Sequence, residues 1–238
     1  MVGGLVMEKY AKMFNKKGLM LPKDIKPEDC LCVGERQLLP TRFIVEGLLT
    51  GVENQGCLPY CAAYASTTFG ESVVWRRTGV PVQIDPVAVY KHAKSIDGNP
   101  NGDGTRLDCA LDGLFKLGYF ERGKCSIGTI GGSIFGFDEE KALFNCKMAC
   151  FRFGCCVIGM NIDSSWYTPK NGVIKGGGHT EGGHAICLTG FDEGGIVIRN
   201  SWGNGWGHNG DAYIPNSVAM KQFMYGAVII NALDGFKV

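Results

Sequence analysis

The residues of this 238-residue chain with the most reactive side chains are eleven cysteines and four histidines, and position separates them. Cys61 opens CAAYASTTFGESVVWRR, an Ala-rich apolar stretch that predicts a helix, directly after the loop GVENQGCLPY at 51–60. A thiol at a helix N-terminus meets unpaired amides and the positive end of the helix dipole, which favour the nucleophilic thiolate. A lowered pKa at Cys61 is the expectation. Such a nucleophile needs a base that can later return the proton, and a third group that orients the base. Among His92, His179, His184 and His208, only His184 follows a Gly-Gly pair and opens an apolar strand. From there an imidazole can project into a cleft, and the glycines let a substrate backbone come close. His92 is expected mid-helix as a packing or surface residue, and His179 and His208 in solvated loops.

The elements that must position these groups are legible in part. DPVAVYKHAKSI predicts a helix capped by Asp85 with Pro86 at its first position, and DGNPNGDG ends it. RLDCALDGLFKLG predicts another, from Arg106 to a terminating Gly118. DEEKALFNCKMACFRFG predicts a fourth, acidic at its start, basic late and closed by Gly154. After Gly154 the pattern turns to strands: CCVIGMNI, HAICLTGFD, GIVIRNSW, DAYIP and MYGAVII, with glycine-rich turns between them. Helices first and strands last argue for an α+β fold with segregated lobes. Residues 1–36 lack a sustained apolar period and read as a short helix followed by an irregular arm.

Composition narrows the function classes. With 24 basic and 23 acidic side chains the net charge is +1, so no one-signed field draws nucleic acid or an anionic membrane. A peptide or another neutral ligand suits this surface better. No apolar run reaches the roughly 20 residues that span a bilayer, and MVGGLVM is too short for a secretory signal. The expectation leans towards the cytoplasm. The cysteines show no repeated CxxC spacing, and with four histidines no metal cluster is indicated. Most of them are expected as small buried apolar residues. Neither cofactor nor metal is expected.

Three blocks in order, QGCLPYCAAYA at 55–65, GGHAICLTGF at 182–191 and NSWGNGWGHNG at 200–210, resemble the signature blocks of the papain-like cysteine peptidases. The 123 positions from Cys61 to His184 and the 16 from His184 to Asn200 are near that family's separations. SWYTPKNGVIKG at 165–176 is similar to the segment leading into the histidine strand. The resemblance runs from about Leu38 to the C-terminus. It implies a two-lobed α+β fold, with a helical lobe over about 55–154, a C-terminal antiparallel β-barrel-like lobe over about 155–238, and the active-site cleft between them. It also implies a thiol endopeptidase with a peptide or protein substrate. In that reading Cys61 is the nucleophile, His184 the base and then the acid, and Asn200 the residue that fixes the histidine tautomer. The Gln55 side chain, with the Cys61 N–H, would form the oxyanion hole, and Trp202 would shield the His184–Asn200 bond from water. Gly104 and Thr105 fall on the backbone rail for substrate, with Arg106, Leu107 and Gly183 around the specificity pocket. Taken singly, Cys61 reads as a core thiol, Gln55 as a turn residue, Asn200 as a cap and Trp202 as a core aromatic. Only their joint spacing favours catalysis.

The sequence also departs from the pattern. Ala62 stands where the family usually has Trp. Leu58 and Gly102 stand where a usual disulfide would join the nucleophile loop to the glycine loop, with Cys57 displaced by one residue. The stretch 1–36 is short for the family's inhibitory prodomain and is similar to bacterial and viral members with a short N-terminal arm. That arm is expected to pack across the surface or cleft and modulate access. Two alternatives share the resemblance: peptidyl or acyl transfer through the same thiol, and a catalytically silent peptide-binding relative.

Overall fold

A computed structural model of the protein describes residues 19–22, 26–31 and 39–232. The short helix expected at the start of residues 1–36 lies outside them. The core of the helical part is α1 (Cys61–Thr78), which ends at Gly79, a left-handed residue (φ +73°) whose N–H returns to the Trp75 carbonyl at 2.8 Å. Ala62, Ala63, Ala65, Phe69, Val73 and Val74 are all buried, and so are Ser66, Thr67 and Ser72. A helix covered on nearly every side needs no single apolar stripe, which explains why this segment reads as Ala-rich rather than amphipathic.

Two further helices lie against α1. α2 (Pro86–Ile96) starts as expected, with Asp85 accepting from Val87 N at 2.8 Å. α3 (Leu107–Lys116) turns Leu107, Ala110, Leu111 and Leu114 inward. Gly70 permits the approach, because a Cβ there would lie 2.9 Å from Leu114 Cδ1. α4 (Glu139–Phe153) is capped by Asp138, which accepts from Lys141 N at 2.8 Å.

Seven antiparallel strands form one sheet: β1 (Arg42–Ile44), β2 (Ser126–Ile130), β3 (Cys156–Asp163), β4 (Thr180–Asp192), β5 (Gly195–Arg199), β6 (Asp211–Pro215) and β7 (Phe223–Ile230). Their order is β2-β7-β3-β4-β5-β6, with β1 added to the C-terminal end of β4. A short helix, α5 (Asn216–Gln222), joins β6 to β7. The antiparallel sheet of the expected α+β fold is open rather than closed into a barrel, since β2 and β6 end it on opposite sides among the described residues. Its edges are instead covered by irregular chain. Leu31 N donates to Thr129 O at 2.7 Å along β2, and Ile174 N to Tyr213 O at 3.0 Å along β6. These bonds satisfy edge groups that would otherwise invite pairing.

Of the ten cysteines among the described residues eight are buried, consistent with their expected use as small apolar residues. Cys57 is free and exposed. No described helix is long and apolar enough to cross a membrane.

Candidate active site

Cys61 is the first residue of α1, and that helix end abuts β4 at the strand position next to His184, with the Ala185 N–H directed at the thiol. The expectation of a lowered thiol pKa is reversed. Cys61 is 1% exposed, and burial pushes the thiol up to about 11 against the opposing pull of the backbone amides of Ala185, Ala62 and Cys61 itself. Loss of water penalises the charged form more than three amide dipoles reward it. His184 is likewise buried, and burial holds it near 4 although its bond to Asn200 acts the other way. Both groups therefore rest neutral.

The histidine is fixed from its far side. His184 Nε2 lies 2.8 Å from Asn200 Oδ1, and the same oxygen accepts from Ser201 N at 2.9 Å. An acceptor there requires the Nε2–H tautomer, which leaves Nδ1 with a lone pair. Asn200 follows β5 directly, where Asn200 N donates to Gly210 O at 2.9 Å. Two indoles enclose the imidazole: Trp202 at 4.9 Å between ring centroids and Trp166 edge-on at 6.3 Å. Trp202 in turn rests on Tyr167 and Trp206. Trp202 and Trp166 thus both lie against the histidine ring. The sequence signal for Trp166 was its place in the SWYTPKNG segment.

Gln55 stands on the loop before α1. Its Oε1 accepts from Ser201 Oγ at 2.6 Å and its Nε2 donates to Leu58 O at 2.8 Å, so one amide hydrogen is committed and the other is left over. The backbone is tied as well, by Gln55 N donating to Ser201 O at 2.9 Å. Ser201 was not singled out from sequence. Its hydroxyl makes sense only once the 53–55 and 201–203 segments are seen side by side.

The five residues expected around substrate divide into two sets. Gly104 is left-handed (φ +75°) and its carbonyl accepts from Lys94 Nζ at 3.0 Å. Thr105 pairs with Leu19 of the N-terminal arm, and Met20 N donates to Thr105 O at 3.0 Å. Gly183 faces the same leucine, since a Cβ there would lie 3.3 Å from Leu19 Cβ. The other wall is Gly159, where a Cβ would meet Leu19 Cδ2 at 2.6 Å, and Tyr225, whose hydroxyl donates to Met20 O at 2.9 Å. Arg106 and Leu107 do not join this group. The Arg106 guanidinium forks onto Asp108 at 3.1 and 2.7 Å and lines a separate cavity of about 440 Å³ with Asp29, Ile127 and Asp112. Leu107 is fully buried, with Tyr225 Oη 3.4 Å from its N–H. The other histidines sit outside the site: His92 pairs with Asp112 at 2.8 Å, and His179 is exposed beside Glu181. Among the described residues no group of three or more His, Cys, Asp or Glu is placed to hold a metal.

The chain has relatives among known proteins. Residues 137–226, which include His184 and Asn200 but not Cys61, match the model described as "Papain family cysteine protease". Papaya proteinase 4 of Carica papaya is 26% identical over 183 residues, covering 69% of this chain and 52% of that protein. Cathepsin O of Homo sapiens is 30% identical over 103 residues, 40% of this chain and 30% of its own length. The chain thus spans about half or less of these two relatives. Among solved structures, xylellain, a cysteine protease from Xylella fastidiosa, superposes with a TM-score of 0.70 over 91% of this chain and 96% of that one, at 17% identity. The proform of Amb a 11, a ragweed pollen cysteine protease, gives 0.69 over 94% and 76%, also at 17% identity. The chain therefore has the fold of these solved cysteine proteases, and over residues 137–226 its sequence matches the papain family.

Proposed function

We propose that the protein hydrolyses peptide bonds through Cys61, His184 and Asn200. The observation that carries this reading is the His184–Asn200 bond of 2.8 Å, enclosed by Trp202 and Trp166, on the strand residue next to the amide that faces the Cys61 thiol. Asn200 occupies Nε2, so Nδ1 is the nitrogen that takes the thiol proton. As the proton moves, Cys61 Sγ attacks the substrate carbonyl carbon and the carbonyl oxygen becomes an oxyanion. The Cys61 N–H at the start of α1 and the uncommitted hydrogen of the Gln55 amide are the donors for that oxygen. One such donor is typically worth about 2.7–4 kcal/mol in the transition state. Collapse breaks the C–N bond, and the imidazolium gives its proton to the leaving amine. Water, deprotonated by the same imidazole, then cleaves the thioester and returns the thiol.

The neutral resting pair belongs to a closed site. Leu19 and Met20 lie on Thr105, Gly159, Gly183 and Tyr225, where an extended substrate would run, so the arm must leave for a peptide to bind. Water and substrate dipoles entering with it would reduce the burial that keeps Cys61 and His184 uncharged.

Turnover of a peptide library by the wild type and by Cys61→Ala tests the reading. Hydrolysis products with the wild type, absent with the variant, are expected. Products carrying an added amine in place of water would show transfer instead, and binding without products from the wild type would show a silent relative.

A further inference from the structure

Two carboxyl groups meet behind the segment that carries Gln55. Glu71, on α1 and 1% exposed, accepts from Ile84 N at 2.7 Å, from Thr50 Oγ1 and from Gln83 Nε2 at 3.4 Å. Glu53 Oε1 accepts from the same Gln83 nitrogen at 3.4 Å, so one NH₂ group bridges two acids. Three donors suit a carboxylate at Glu71. Glu53 Oε2 lies 3.2 Å from Thr67 Oγ1. That hydroxyl has one hydrogen, and its shorter contact, 2.8 Å, is to the Tyr64 carbonyl, which can only accept. Thr67 thus shares its one hydrogen with Glu53 only over the longer distance, a weak donor that leaves room for a proton on Glu53 itself.

The surroundings favour that proton. The titratable groups facing Glu53 are Glu71 and Tyr64 from α1 and Asp85 from the start of α2, all acids. Arg199, which reaches the Thr50 carbonyl at 2.8 Å, is forked onto Asp211. Burial first, and Glu71 second, push Glu53 up to about 7.

Glu53 is also tied to the reacting groups. Its carbonyl accepts from Gly203 N at 2.9 Å, Asn54 bridges to Trp202, and Gln55 N donates to Ser201 O at 2.9 Å. Residues 53–55 thus clasp 201–203, the segment that carries the histidine's indole cover and follows Asn200. We infer that Glu53 is a positioning residue whose protonated side chain, bridged through Gln83 to Glu71, holds this clasp and with it the Gln55 amide. Ionisation puts two carboxylates on one amide and loosens it. The inference rests on the peptidase reading of Gln55, Cys61 and His184.

The test compares the full chain with Glu53→Gln, a neutral isostere of the protonated acid. The ratio of kcat/KM, variant over wild type, should rise several-fold between about pH 6 and about pH 8, the window around the Glu53 value. A ratio flat across that window overturns the inference while leaving the peptidase reading intact. If no peptide is cleaved, that reading fails, and the same ratio taken from the rate of Cys61 alkylation by iodoacetamide decides on Glu53. In ¹³C-glutamate-labelled protein, a carboxyl resonance titrating near 7 and missing from Glu53→Gln supports the assignment. Titration of that resonance in the ordinary carboxylate range overturns it.

Discussion

Ser201 Oγ donates to Gln55 Oε1 at 2.6 Å while Ser201 N donates to Asn200 Oδ1 at 2.9 Å. One serine therefore ties the Gln55 amide to the Asn200 amide, the two groups that the proposed function assigns to the oxyanion and to the histidine. Gln55→Ala should lower kcat by about 10²–10³-fold with little change in KM, the usual loss for one oxyanion donor. Ser201→Ala should lower kcat less. The double variant should be no worse than Gln55→Ala alone, since the serine hydroxyl acts through Gln55. Additive losses in a double-mutant cycle would show that the two act separately.

The arm should limit access. Leu19 is buried against Gly159, Gly183 and Thr105, and Leu19→Asp places a charge where an apolar side chain sits. That variant, and removal of residues 1–22, should raise kcat/KM for a short peptide, chiefly by lowering KM. Unchanged kinetics together with unchanged stability would show that the arm does not guard the cleft.

Burial of the reacting pair has a signed consequence for stability. The folded His184 value is depressed to about 4 from 6.5, so its contribution is present above 6.5 and lost as pH falls towards 4. The folded Cys61 value is raised to about 11 from 9, so its contribution is present below 9 and lost as pH rises towards 11. Urea midpoints measured against pH should fall on both sides. His184→Gln should flatten the acid side and Cys61→Ser the alkaline side, and identical profiles in the variants would contradict the burial argument.

Trp166 is fully buried, with Nε1 donating to Gln222 Oε1 at 2.9 Å and its carbonyl accepting from Trp206 Nε1 at 2.7 Å. Trp166→Ala should destabilise the fold by about 3–5 kcal/mol, as large core truncations do, and should also uncover the histidine. Chemical denaturation measures the first effect. A shift of His184 towards its ordinary value, read by NMR, measures the second.

The four long helices and five of the seven strands were legible from local signals: the Ala-rich run after Cys61, Asp85-Pro86, Gly118 and Gly154 at helix ends, and glycine turns between the later strands. β1 and β2 were not, since a three-residue strand and the short SIGTI run have no pattern apart from their partners on β4 and β7. Cys61 and His184 were proposed from position, and Asn200 and Gln55 from the resemblance of their blocks to a known family. The raised Cys61 value was not legible, because helix position is local but burial depends on distant elements such as β4. Arg106 and Leu107 were expected at the cleft because alignment sets chain position and not side-chain direction. Asp108 holds the one, and the core takes the other.

The most direct measurement is the mass of the protein after incubation with an epoxide thiol inhibitor near neutral pH, with the modified peptide sequenced. One equivalent on Cys61 is predicted, accelerated in the chain lacking residues 1–22, absent in Cys61→Ala and strongly slowed in His184→Ala. No modification of the folded protein with the arm removed, or equal labelling of Cys57 and the buried thiols, would contradict the assignment of Cys61 as the nucleophile.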